Sequence, residues 1–166
     1  MISTLVIYLL VIGTINRSLS NDQLQFILYP IQLFVSFFEN SQFQYLSEFG
    51  YVQTDGLIRI NASCSGFLFL NVLIAVGVFL VLRLTTLFKW YSLIIRIFFV
   101  LILAYLFAVG VNSSRILLSI DLLHVAQNFS WFPNHFVHEA FGIFSFLVFS
   151  SLYYIAVKQM LKRWTN

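Results

Sequence analysis

Charge is scarce in this chain. Nine Lys/Arg and six Asp/Glu make up 9% of its 166 residues, where soluble domains average about 25% charged residues. So few charges cannot cover a water-facing surface of this size. That excludes an ordinary soluble globule, a disordered tail and a nucleic-acid-binding module. The single cysteine, Cys64, excludes an internal disulfide framework and any multi-thiolate metal site. No internal repeat, Gly/Ser linker or low-complexity tract divides the chain, so residues 1–166 read as one domain. What is abundant is apolar: 60% of residues are hydrophobic, 20 are Phe, and the mean hydropathy is +0.92. The composition predicts an all-α, polytopic integral membrane bundle.

Three stretches, 67–82, 92–109 and 139–157, have about the length needed to cross a ~30 Å hydrocarbon core. A shorter fourth, 24–38, contains Pro30 and reads as kinked or incomplete. Residues 4–15 form a fifth candidate; no Lys or Arg precedes them and no small-residue cleavage site follows, so they read as a span rather than a signal peptide. Residues 116–126 are apolar but short and are interrupted by Asp121 and His124. They predict a re-entrant or interfacial helix near 114–127. The expectation is about five spans, within bounds of four and six.

Basic residues set the orientation. Lys158, Lys162 and Arg163 follow the last long stretch, and Arg83 and Lys89 bracket the turn between the two central ones. The positive-inside rule places both groups in the cytoplasm, with Arg17 beside them if the amino terminus starts outside, and predicts a multi-pass protein of the cell inner membrane. Residues 39–63 and 111–138 then fall outside, the former as a polar loop, although Arg59 on that side votes against. Trp131 and Phe132 belong at the outer interface, and Trp90, Tyr91 and Trp164 at the inner one. Arg96, about one turn into its helix, must snorkel inward.

This topology acts on the few polar residues near the apolar stretches. Cys64 stands just before one span, Arg115 emerges after the next, and His138 precedes the last. Equal helical legs bring all three to one membrane depth. A thiolate is the nucleophile of acyl transfer and forms more readily beside a positive charge. An imidazole can take the thiol proton or protonate a leaving amine. A guanidinium stays charged and can hold an oxyanion or orient a carbonyl. The small pair Ser65-Gly66 would let a substrate backbone come close. Taken singly, each residue has a plainer reading: Cys64 as apolar filler, Arg115 as a headgroup anchor, His138 as an interfacial residue.

The ordered set Cys64-Ser65-Gly66, then Asn112-Ser-Ser-Arg115-Ile116, then His138-x-x-x-Gly142, each piece at a span end, resembles the exosortase/archaeosortase family of membrane cysteine transpeptidases. The likeness covers about residues 60–157, and the compact length resembles the short type called exosortase K. The resemblance implies that Cys64 is the nucleophile, Arg115 its cationic partner and His138 the third active-site residue, with Asn112, Ser65, Gly66 and Gly142 supporting. It implies a substrate protein with a carboxy-terminal sorting signal made of a short motif, a transmembrane helix and a basic cluster. This would be cut on the outer face and passed through a thioester to an acceptor that is a lipid, an amine or water. No cofactor and no nucleic acid is implied; the bilayer itself is a partner. The roughly 55 residues at the amino end carry no family motif.

Other constellations are weaker. His135, His138 and Glu139 are close in sequence, but zinc takes three or four protein ligands, and His124 or Cys64 would have to be recruited. Ser63 and Ser65 do not stand in the Gly-x-Ser-x setting of an intramembrane serine protease. Asp121 can orient His138, pair with Arg115 or simply be solvated. The alternative from another class is a non-enzymatic small membrane subunit of an export or surface-polysaccharide system, in which Cys64 is dispensable.

Overall fold

The computed structural model describes residues 14, 18–56, 58–84, 90–126 and 134–164, with side chains outside 121–141. In chain order the elements are α1 (Gln25–Glu39), β1 (Phe43–Leu46), β2 (Gly50–Gln53), β3 (Arg59–Ile60), a 3-10 turn (Ala62–Cys64), α2 (Phe67–Leu84), α3 (Trp90–Ala126) and α4 (Asn134–Arg163). The three long helices α2, α3 and α4 pack on one another, and each contains a stretch long and apolar enough to cross a membrane. The expected spans 67–82, 92–109 and 139–157 lie inside them. Their apolar residues point both ways, as hydrocarbon permits and water does not. Leu73, Val100, Ala104, Ala108, Tyr153 and Val157 are fully buried between the helices, while Phe98, Leu106, Phe144 and Leu147 face outward.

The helices of the bundle approach closely at Gly77. A Cβ there would overlap Val100 Cγ1 and stand 2.5 Å from the Tyr153 hydroxyl, which itself donates to the Val100 carbonyl at 3.2 Å. A residue without a side chain thus lets α3 and α4 meet over α2, a recurrent device where lipid removes the hydrophobic drive between helices.

Four expectations need correction. First, the fold is not all-α. β1, β2 and β3 form an antiparallel sheet in that order, with Tyr45 opposite Tyr51 and Tyr51 opposite Ile60. Tyr45 and Tyr51 pack ring against ring at 5.0 Å, and Gly50 turns the hairpin with a positive φ of 79° at a point where any Cβ would strike the Ile60 carbonyl. The stretch read as an outer loop is therefore a built unit.

Second, residues 24–38 form a helix shorter than the length a crossing needs. The 15 residues of α1 span roughly 22 Å, short of the ~30 Å core. Asn21, just before α1, donates to the Ser47 carbonyl at 2.9 Å and accepts from the Ala62 backbone at 2.8 Å. The chain thus returns at 62 to the level it left at 21, and α1 with the sheet forms a flank beside the bundle. Ile27, Leu28, Ile31 and Val35 of α1 are fully buried, and Tyr105 of α3 donates to the Phe26 carbonyl.

Third, no separate re-entrant helix occupies 114–127. α3 runs unbroken through Ala126 for 37 residues, because Asp121 and His124 are polar but are not helix breakers. Ser114 and Ser119 return their hydroxyls to the Gly110 and Arg115 carbonyls inside the same helix. Fourth, the described residues hold three of the expected spans; the candidate 4–15, and Arg17, Trp131 and Phe132, lie outside the described residues.

Candidate functional site

Cys64 ends the 3-10 turn, three residues before α2 begins. The turn is fixed from both sides. Asn61 caps it, its side-chain oxygen accepting from the Ser63 backbone at 3.1 Å and from the Ser63 hydroxyl at 2.6 Å. Asn21 holds Ala62 from the α1 side. Ser65, almost wholly buried, donates its hydroxyl to the Ala62 carbonyl at 2.7 Å and accepts from the Phe67 backbone at 3.2 Å, which caps the start of α2. Both serines are thus engaged in shaping the turn. The Cys64 thiol, half-buried, is 3.9 Å from the Ser63 hydroxyl.

Gly66 joins this turn to α3. Its φ is 63°, and a Cβ there would overlap the Asn112 side-chain amide. Asn112 is fully buried and donates from Nδ2 to the Ser65 carbonyl at 3.1 Å. The space left by Gly66 is therefore filled from within the protein. This corrects the expectation that the Ser65-Gly66 pair leaves room for a substrate backbone: the missing side chain admits α3, which in turn sets the position of Cys64.

One turn further along α3, Arg115 is half-buried. Its guanidinium stands 5.6 Å above the Phe146 ring of α4, and Phe146 stacks on Phe69 of α2 at 4.7 Å. Gly142, four residues before Phe146, leaves an opening in α4 against which Arg115 rests; a Cβ there would be 3.6 Å from Nη1, an ordinary contact. The turn that carries Cys64 is seated on Asn112, three residues before Arg115 on the same helix. Six of the seven residues singled out in the sequence, Cys64, Ser65, Gly66, Asn112, Arg115 and Gly142, thus gather where α2, α3 and α4 meet. His138 lies in α4 one helical turn before Gly142. Its side chain, like those of Asp121, His124, His135 and Glu139, lies outside the described residues.

The polar atoms here are incompletely satisfied. Asn112 Oδ1, Ser113 Oγ and Arg115 Nε are buried and have no hydrogen-bond partner among the described residues. Leaving such a group unpaired costs about 1–3 kcal/mol. Three such atoms fall within four positions of one helix. An open cleft of about 340 Å³ is lined by Leu19, Ser20, Asn21, Ser47, Glu48, Asn61, Ala62 and Ser63, and so borders the turn that ends in Cys64. Among the described residues no cluster of His, Cys, Asp and Glu could hold a metal ion.

Sequence reading missed Asn21, Asn61 and Phe146. Phe146 had a signal: 138, 142 and 146 recur every four residues, the spacing of one helical stripe. Asn61 precedes a small-residue turn as a cap does. Asn21 had none, because its partners lie 26 and 41 positions away.

No family model, no curated protein and no solved structure matches this chain.

Proposed function

We propose that the protein is a membrane cysteine peptidase and transpeptidase of the exosortase kind, with Cys64 as nucleophile, Arg115 as its cationic partner and His138 as the acid–base. The observation that carries this reading is the seating of the Cys64 turn on α3 through Gly66 and Asn112, with Arg115 one turn further along the same helix.

The chemistry runs in two halves. The Cys64 thiolate attacks the scissile carbonyl, whose developing oxyanion is stabilised by the Arg115 guanidinium. The tetrahedral intermediate collapses with cleavage of the C–N bond, and imidazolium His138 gives its proton to the departing amine. The acyl group is left as a thioester on Cys64. An acceptor nucleophile then attacks the thioester carbonyl and the C–S bond breaks. The acceptor's proton passes to His138, restoring the thiolate–imidazolium pair. The Asn112 clamp and the Phe146–Phe69 stack under Arg115 hold the sulfur and the cation in register without occupying their reactive faces.

The substrate class follows from position and resemblance. A site at the end of a membrane bundle suits a peptide bond next to a transmembrane segment, and the resemblance to the exosortase family implies an exported substrate carrying a short motif, a carboxy-terminal membrane helix and a basic cluster. Orientation by the positive-inside rule puts the site on the extracytoplasmic side of the cell inner membrane, with the carboxy end in the cytoplasm.

The test is co-expression with tail-anchored exported proteins encoded near this chain, followed by a size shift on gels. Processing is expected with the wild type and lost with Cys64→Ala and with Arg115→Ala at unchanged protein level. Processing that survives Cys64→Ala ends the proposal and favours a non-enzymatic subunit.

A further inference from the structure

β3 is the outer strand of the sheet and leads directly into the Cys64 turn, and the acyl-transfer chemistry makes no use of it. Gln53 of β2 donates its N–H to the Ile58 carbonyl at 3.0 Å, and the antiparallel register continues with Val52 opposite Arg59 and Tyr51 opposite Ile60. Bonded and unbonded pairs alternate along such a ladder. Ile58 and Ile60 therefore turn their backbone groups toward β2, and Arg59 turns both of its groups to the open edge. Asn61 stays extended, with φ −123° and ψ −175°, so its N–H points the same way. Its carbonyl is taken by the Cys64 N–H at 2.9 Å. Among the described residues, the Arg59 N–H, the Arg59 carbonyl and the Asn61 N–H have no partner.

Two donors and one acceptor in a row are what an extended peptide needs to add a strand to a sheet. The site sets the direction. β3 runs toward Cys64, past the cleft that borders Asn61, Ala62 and Ser63. A peptide with its scissile carbonyl at the Cys64 sulfur and its preceding residues beside β3 runs parallel to β3. In a parallel pair one residue bridges two on its neighbour. Arg59 then donates to one peptide carbonyl and accepts from the N–H two residues on, and the carbonyl of that second residue takes the Asn61 N–H. At ~3.3 Å per extended residue and ~2.0 Å per 3-10 residue, at most about 13 Å of chain separates Arg59 from Cys64, so the bridged residues stand about four before the scissile bond. A second copy of this chain, paired edge to edge, would have a strand of only 2 residues to hold it.

We propose that the substrate's sorting motif binds as a fourth, parallel strand on the open edge of β3, which leads its scissile bond to Cys64. This rests on the acyl-transfer reading of Cys64 and adds how the substrate is held. The backbone bonds are blind to side chains, so selectivity comes from the alternation of the added strand. Successive motif residues fall in turn on the face where the Arg59 guanidinium stands 5.5 Å over the Phe49 ring and on the face of the fully buried Ile60.

The test uses the full-length protein in detergent with Cys64→Ala and Arg59→Cys, so that the introduced thiol is its only one. The probe is a tail-anchored exported protein encoded near this chain, carrying one cysteine in turn at each position of the stretch before its membrane helix. Disulfide cross-links are expected at alternate positions, the period of a strand. In the cleaving protein, Arg59→Pro deletes an N–H that the ladder to β2 does not use, a change that edge strands tolerate. It should slow processing at limiting substrate by about tenfold or more, and Arg59→Ala, which keeps the N–H, should lose several-fold less. Cross-links that are absent or do not alternate, with a probe that the wild type cleaves, overturn the strand and leave the peptidase reading standing. Equal losses for Arg59→Pro and Arg59→Ala at equal denaturation midpoints do the same; if Arg59→Pro fails to fold, cross-linking decides alone. Alternating cross-links to a probe that the wild type never cleaves keep the strand and remove the peptidase, and neither cleavage nor cross-linking with any such probe ends both. A disulfide-linked dimer formed through position 59 in preference to the probe assigns the edge to a second copy and overturns the proposal.

Discussion

At the level of Gly77 the three long helices meet with their polar atoms paired. The Tyr153 hydroxyl, fully buried, finds the Val100 carbonyl, and the residues around it are aliphatic. Roughly 16 Å along α2, at the level of Gly66, the same helices meet again around Asn112, Ser113 and Arg115, and there three buried polar atoms have no partner among the described residues. Both levels use a glycine to admit a neighbouring helix, Val100 and Tyr153 at one and Asn112 at the other. The difference lies in what the approach achieves. The middle of the bundle is aliphatic and paired, and its end gathers an amide and a guanidinium beside the turn that carries the thiol. On the proposed function, that contrast separates the two levels into scaffold and site.

Substitutions can break the comparison, beginning with the largest effect. Arg115→Met keeps an apolar stem of similar shape but removes the guanidinium that stands over Phe146, and with it the charge. Processing should fall by a factor of at least 100, the usual loss for one oxyanion donor, while thermal stability in detergent stays level or rises, because a buried unpaired donor has gone. Gly66→Ala should destabilise by roughly 3 kcal/mol, combining left-handed backbone strain with displacement of Asn112, and processing should fall with it. Gly77→Ala should cost about 2 kcal/mol through overpacking, with the activity of the remaining folded protein unchanged. Tyr153→Phe removes one interhelical hydrogen bond and should cost only about 0.6 kcal/mol. Gly142→Ala adds a methyl at ordinary contact distance from Arg115 and should move stability by less than about 0.5 kcal/mol. Denaturation midpoints and processing yields on the same preparations separate these outcomes. If Arg115→Met destabilised as Gly77→Ala does, the division into scaffold and site would fail.

Hydropathy makes the three long helices legible because twenty apolar residues in succession have few other homes. It misleads at 24–38, where the apolar run is real but the helix is shorter than a crossing needs and is buried against α3 and the sheet. The sheet is hidden for a related reason. Phe43-Gln-Tyr-Leu46 alternates as a strand does, yet strands of 4, 4 and 2 residues are shorter than the length at which alternation stands out from chance. The end of α3 is misread because Asp121 and His124 suggest an interruption, whereas a helix stops at caps and breakers. Counting helical legs does bring Cys64 and Arg115 to one level. It cannot reveal that Asn112 sits in the space Gly66 leaves, since a pair 46 positions apart has no local pattern. The same holds for Asn21, which ties the sheet turn and the Cys64 turn into one frame.

The central claim is that Arg115 and Cys64 act on each other as cation and nucleophile. Its most direct test is the second-order rate of Cys64 alkylation by iodoacetamide at neutral pH, in membranes, for the wild type and for Arg115→Gln. The account predicts that Arg115→Gln slows alkylation by about tenfold, as expected when a cation favouring the thiolate is removed, with equal rates for the two proteins after denaturation. Equal rates in the folded proteins would contradict it.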